Sequence, residues 1–118
     1  MEKLQRVVEM AMDFIDPSRG HMKPILDAIK GKFNDYSDKK VTWREYVTFR
    51  EGTSNKMHYF IVYETANGKF RAANAYGRIG YGVQVVDLGV YDTKEEAIAV
   101  AKKKLSSKLA KGYEITKV

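Results

Sequence analysis

Cysteine is absent from the sequence, which excludes disulfide staples and every thiolate-based metal site or nucleophile. The same absence suits a reducing compartment, so a cytoplasmic, intracellular location is expected. Histidine is scarce as well, with only His21 and His58. One falls in an expected turn and the other in an expected strand, and no ligand spacing points to a metal. No serine lies in a nucleophile-elbow context, and no His–carboxylate arrangement suggests a general base. The expectation is a non-enzyme with no cofactor and no metal. Long apolar runs are missing too. No window approaches the roughly 20 residues of a membrane span. Near the first residues, Glu9 and Asp13 interrupt each apolar stretch that could act as a secretion signal. No membrane association is expected.

What is present suffices for a stapleless core. At 118 residues, 44% hydrophobic and 31% charged, the chain has the profile of one soluble domain. Its formal charge is +6, distributed unevenly. Residues 1–40 carry eight basic and seven acidic side chains, and residues 41–92 carry six and five. Residues 93–118 carry seven and three, so the positive field comes mainly from the C-terminal segment. That pattern is compatible with a solvated helix face, and equally with a surface for a polyanion such as nucleic acid.

The hydrophobic periodicity predicts an N-terminal helical pair. Leu4, Val7, Val8, Ala11, Phe14 and Ile15 form one face of a helix over residues 2–15, stopped at Asp16-Pro17. A second helix is predicted near Lys23 to Phe33, with Ile25, Leu26, Ile29 and Phe33 on its apolar side and Pro24 in its first turn. Residues 34–40 are polar and read as a linker. The pattern then becomes strand-like. Strands are predicted over Val41–Arg50, Met57–Thr65, Lys69–Ile79 and Val83–Tyr91, the last with a possible bulge at Gly89. Residues 51–56 read as a loop, Asn67-Gly68 as a two-residue hairpin turn, and Gly80-Tyr81-Gly82 as a further turn. Thr93 and Glu96 have capping-box spacing ahead of a long helix whose buried stripe is Ala97, Ile98, Ala101, Leu105 and Leu109. Gly112 is placed to end it, and a short final strand is expected over Tyr113–Val118. The fold class is therefore α+β: an antiparallel sheet with one long helix across it, preceded by the helical pair. Residues 1–40 form an N-terminal helical extension and residues 41–118 the main domain. The apolar stripes of the extension need cover, from the sheet or from a second copy in a homodimer.

The run Gly77-Arg78-Ile79-Gly80-Tyr81-Gly82 lacks dinucleotide-binding spacing and precedes a strand, so a nucleotide loop at a helix N-terminus is not expected. A tight hairpin explains the glycines but not the arginine. With glycines at 77 and 80, the Arg78 guanidinium can reach a phosphate or carboxylate unobstructed.

These pieces stand in an order that resembles the WGR domain, the module named for a Trp-Gly-Arg triplet. Ser54-Asn55-Lys56 with Tyr59, Asn67-Gly68-Lys69-Phe70, Tyr76-Gly77-Arg78-Ile79-Gly80, Thr93-Lys94-Glu95-Glu96-Ala97 and Lys108-Leu109-Ala110-Lys111-Gly112-Tyr113 match the family in sequence, over residues of about 45–114. The resemblance implies an antiparallel sheet with a long helix on one face. It also implies contact with DNA breaks, the role of the module in poly(ADP-ribose) polymerases; bacterial proteins carry it as well. In those polymerases the tryptophan stacks on a terminal nucleotide and the arginine lies at the DNA and interdomain contact; Tyr76 and Arg78 occupy those places here. Two features depart from the pattern. Tyrosine replaces the tryptophan, and the segment from Gly80 to Ala97 is about one residue longer, around Tyr81-Gly82-Val83-Gln84.

The function expected is a nucleic-acid-binding module for DNA ends, nicks or single strands. Tyr76 would stack on a base or sugar, and Arg78 would pair with a phosphate. Lys69 and Arg71 would extend the contact, and Lys104 and Lys108 of the last helix would add sequence-independent attraction. The alternative is a protein-interaction module in which Arg78 meets a partner carboxylate and the N-terminal helices form the docking surface. Shared placement of the lysines and Tyr76 on one face favours the first reading.

Overall fold

The computed structural model describes residues 22–116; the helix predicted over residues 2–15, and His21, lie outside them. The elements are helix α1 (Met22–Lys32), a 3-10 turn (Asp38–Lys40), strands β1 (Val41–Glu51), β2 (Ser54–Glu64), β3 (Phe70–Arg78) and β4 (Val83–Tyr91), helix α2 (Lys94–Ala110) and the short strand β5 (Glu114–Ile115). The described residues hold a single N-terminal helix where the periodicity predicts a pair. The strands form one antiparallel sheet in the order β4-β3-β2-β1-β5.

The two central strands explain the layering. Met57 to Tyr63 are all buried, and so are Ala72 to Ala75. A strand that buries consecutive residues must be covered on both faces. On β2, Met57, Tyr59, Ile61 and Tyr63 join Ile25, Ile29 and Phe33 in one core. Phe60 and Val62 face the other way, into clusters with Ala97, Ala101 and Leu105. Helix α1 therefore covers one face and α2 the other. Small residues meet where α2 crosses β3: Ala72 packs against Ala97 and Ala101, which lets the helix lie close to the strand. The apolar side of α1 packs on the sheet: Ile25 and Ile29 are 1% and 0% exposed, with Met22 and Leu26 partly buried beside them.

The segment after α1, read from sequence as a linker, is tied to the sheet. Asp35 accepts hydrogen bonds from the Tyr63 hydroxyl at 2.8 Å and the Ala66 amide at 3.2 Å. Burial alone would raise the Asp35 carboxyl, but these donors and the Arg71 charge outweigh it and hold the group below its ordinary value.

Helix α2 starts and stops as its sequence dictates. Thr93 Oγ1 accepts from the Glu96 amide, and the Gly112 and Tyr113 amides donate to the Leu109 and Lys108 carbonyls in a Schellman pattern. The buried stripe runs through Ala97, Ala101 and Leu105 and then departs from expectation. Leu109 is 39% exposed, and Lys108 turns partly inward in its place. With 3.6 residues per turn, the position after Leu105 that faces the sheet can fall three residues on, not four.

Two turns also differ from expectation. The β1–β2 connection is only Gly52-Thr53, so Ser54, Asn55 and Lys56 belong to β2. Counted inside the Thr65–Lys69 closing pair, the β2–β3 loop has three residues, not two. The Gly68 amide donates to the Thr65 carbonyl, Gly68 takes φ +76°, and the Thr65 amide donates to the Lys69 carbonyl, closing the pair. This is a turn followed by a left-handed glycine, which sets a register one residue away from a two-residue loop. On β4, an extra residue between Asp87 and Gly89 makes the bulge predicted there.

Substitution tests this layering. Ile29→Ala should cost about 2–5 kcal/mol in denaturant melts, as expected for a fully buried aliphatic. Leu109→Ala should change stability by no more than about 0.5 kcal/mol. A small cost at Ile29 would mean that α1 is not part of the core.

Candidate nucleic-acid interface

The β2–β3 register determines which side chains meet at the far end of the hairpin. His58 stands opposite Tyr76, and Lys56 opposite Arg78. All four project to the side of the sheet on which α2 lies, because they share the parity of Phe60 and Val62 on β2 and of Ala72 on β3. Together with Thr53, Ser54, Asn55 and Tyr113 they line a groove of about 460 Å³. That volume lies in the ordinary range for a ligand site, roughly 300–1,000 Å³.

The floor of the groove is an aromatic ladder. The His58 ring stacks on Tyr76, with centroids 5.3 Å apart and planes at 15°, and on Phe60 at 5.8 Å and 15°. Tyr113, which follows α2, meets His58 edge-on at 5.3 Å. Two polar bonds fix the ladder. His58 Nδ1 donates to Asn74 Oδ1 at 3.1 Å, and the Tyr76 hydroxyl donates to Gln84 Oε1 at 2.9 Å. Tyr76 is thus half-buried and held, while Arg78 is exposed at the rim.

The charges around the floor are of one sign. Lys56 and Arg78 oppose each other across the strands, and among the described residues no carboxylate pairs with either. Like charges directly opposite in a sheet are unfavourable. The end of α2 adds to them. Lys104, Lys108 and Lys111 follow at steps of four and three and so share one side of the helix. Burial lowers the Lys108 ammonium, and its neighbours Lys111 and Lys104 lower it further. His58 is also lowered, chiefly by burial and then by the charges of Lys108 and Lys111, against the opposing pull of the Asn74 bond. The helical lysines therefore act on the same face as Tyr76.

Of the six residues singled out from sequence, four gather here: Tyr76 and Arg78 in the groove, with Lys108 and its neighbour Lys104 on the helix beside it. The other two do not. Arg71 has the opposite parity and points to the α1 face, where it pairs with Asp87 and its guanidinium lies 4.4 Å over the Phe33 ring. Lys69 precedes β3 at the other end of the hairpin and pairs with Asp92. Three groove residues were not legible as such. The sequence pattern puts Lys56 in a loop, Tyr113 at the start of a last strand, and His58 alone in a strand. Correct register would have found Lys56 and His58, since it pairs them with Arg78 and Tyr76. Among the described residues, no three His, Asp or Glu side chains converge as a metal would require, and no helix is long and apolar enough to cross a membrane.

The depressed His58 gives a pH test with a defined sign. Unfolded, the ring protonates near 6.5; folded, it resists the proton. As pH falls below about 6.5, the unfolded chain binds the proton first and stability drops; the loss ends once pH passes below the folded value. Melts of wild type and His58→Phe between pH 7.5 and about 5 should therefore diverge in slope, with wild type the steeper. Parallel profiles would mean that His58 is not shifted.

Comparison with known protein families matches residues 43–117 to the WGR domain. The match runs from within β1 past β5, covers more than half of the chain, and leaves α1 ahead of it. No curated protein and no solved structure matches. The matched region holds the ordered pieces that resemble the module in sequence, folded as the antiparallel sheet with the long helix α2 across one face. The chain belongs to the WGR domain family.

Proposed function

We propose that the groove between the end of the β2–β3 hairpin and the last turn of α2 binds nucleic acid, with DNA ends, nicks or single strands as the ligand class. One observation carries this reading: Lys56 and Arg78 face each other at the groove with no carboxylate partner among the described residues, beside the lysines of α2. An anion between them would turn a repulsion into two charge-assisted contacts. The half-buried Tyr76 ring offers a surface for a base or sugar next to that anion. Phosphate with an adjacent planar ring is what a nucleotide presents. WGR domains are nucleic-acid-binding modules in poly(ADP-ribose) polymerases and are not themselves catalytic, which agrees with a binding role here. Phosphate contacts and ring stacking carry no sequence information, so little sequence specificity is expected. Lys104, Lys108 and Lys111 extend the attraction along one side of the helix.

Salt dependence tests the proposal. Titration of a short labelled DNA should give an affinity that falls with salt, with a log–log slope of roughly 0.7–0.9 for each phosphate contact. Arg78→Ala and Lys56→Ala should each weaken binding and reduce that slope by about one contact. Tyr76→Ala should weaken binding by about 1–3 kcal/mol and leave the slope unchanged. Melting curves for each variant separate lost contacts from lost folding. Binding that ignores salt, or variants that bind as wild type, would favour a protein partner whose carboxylate meets Arg78.

A further inference from the structure

The aromatic with the greatest exposure near the groove is not Tyr76. Tyr81, in the β3–β4 turn, is 64% exposed, yet its backbone is anchored. The Tyr81 amide donates to the Arg78 carbonyl at 3.0 Å, closing a turn in which Gly80 takes φ +88°. That geometry requires glycine at the third position. The Ile79 amide donates to the Asn55 carbonyl at 2.8 Å, extending the hairpin ladder into the turn, and the Ile79 side chain packs against the α1-side core. The loop also folds back on its own strand: a Cβ at Gly77 would lie 2.7 Å from the Gly82 carbonyl oxygen. Three anchors thus hold an exposed tyrosine that buries little. Among the described residues its ring meets the Arg78 guanidinium, 5.0 Å from the ring centroid. Arg78 in turn lines the groove that holds Tyr76. The order along the rim is ring, cation, ring.

We infer that Tyr81 is a second stacking platform, so that the site takes at least two consecutive nucleotides of a single strand, one base at Tyr76, the next at Tyr81, and the linking phosphate at Arg78. The inference rests on the nucleic-acid reading above and extends it from one nucleotide to a strand that continues over the end of the sheet. The guanidinium does both tasks, since its plane can lie on the Tyr81 ring while its N–H edge meets phosphate oxygens. A base stacked on the exposed ring adds contact without sequence preference. The turn orders the Tyr81 backbone before the ligand arrives, which lowers the ordering cost of binding.

The test uses the full chain and a labelled oligothymidylate of about ten nucleotides, titrated at fixed low salt. Tyr81→Ala should weaken binding about five- to hundredfold with an unchanged salt slope, and Tyr81→Phe, which keeps the ring, should bind within about twofold of wild type. Tyr81 is exposed, so both variants should melt as wild type does. Replacing thymine by 5-bromouracil gives a readout without mutation, since irradiation should crosslink the strand to Tyr81. Salt-sensitive binding by wild type with Tyr81→Ala equally tight, or crosslinks that map only elsewhere, would overturn the inference while leaving the groove standing. Absence of any oligonucleotide binding by wild type would overturn both.

Discussion

The site depends on the register of one hairpin. Side chains alternate across a strand, so a slip of one residue between β2 and β3 would carry Lys56 and His58 to the α1 face and present Met57 and Tyr59 to Tyr76 and Arg78. The three-residue loop with Gly68 in the left-handed conformation sets the register. The double layer of helices then enforces it. Residues 57–63 of β2 are buried on both faces, and each face has its own shape requirement: large rings and aliphatics against α1, and Phe60 and Val62 against the alanines of α2. A slipped strand would put a histidine into the α1 core and tyrosines under a helix that crosses at alanine contact distance.

Much of this was legible in sequence, for physical reasons. The long helix was marked at both ends by Thr93 with Glu96 and by Gly112, residues whose roles are local and need no tertiary context. The strand boundaries of β4 and its bulge at Gly89 followed from a β-branched run with one glycine in it. The errors lie where a local signal was ambiguous by one residue. Asn67-Gly68 suits a two-residue turn, but it also suits the last two places of a three-residue loop, and only the ladder decides between them. Arg71 lies on the α1 face for the same kind of reason: nearness along a strand does not put two side chains on one face, parity does. Leu109 illustrates the helical version, where a fourth apolar residue in a stripe lies past the edge of what the sheet can cover.

The electrostatics follow from the packing. Because α2 ends beside β2, the lysines of its last turns add their field to the His58–Tyr76 ladder, and the Lys56–Arg78 pair continues that field to the rim. The other cations of the hairpin are neutralised where they stand, Arg71 by Asp87 and Lys69 by Asp92. The contrast separates cations paired within the fold from Lys56 and Arg78, which have no carboxylate partner among the described residues. On the proposed reading the ligand lies at that end of the hairpin, away from the exposed valines of the β4 edge, Val86 and Val90.

The most direct test is to map backbone amide chemical shifts during titration with a short single-stranded oligonucleotide. The account predicts that perturbations gather at residues 53–58, 76–82 and 108–113 and leave α1 and the Lys69–Asp92 end unchanged. Perturbations centred on α1, on the β4 edge or on the Lys69 end, or none at all under low salt, would contradict it.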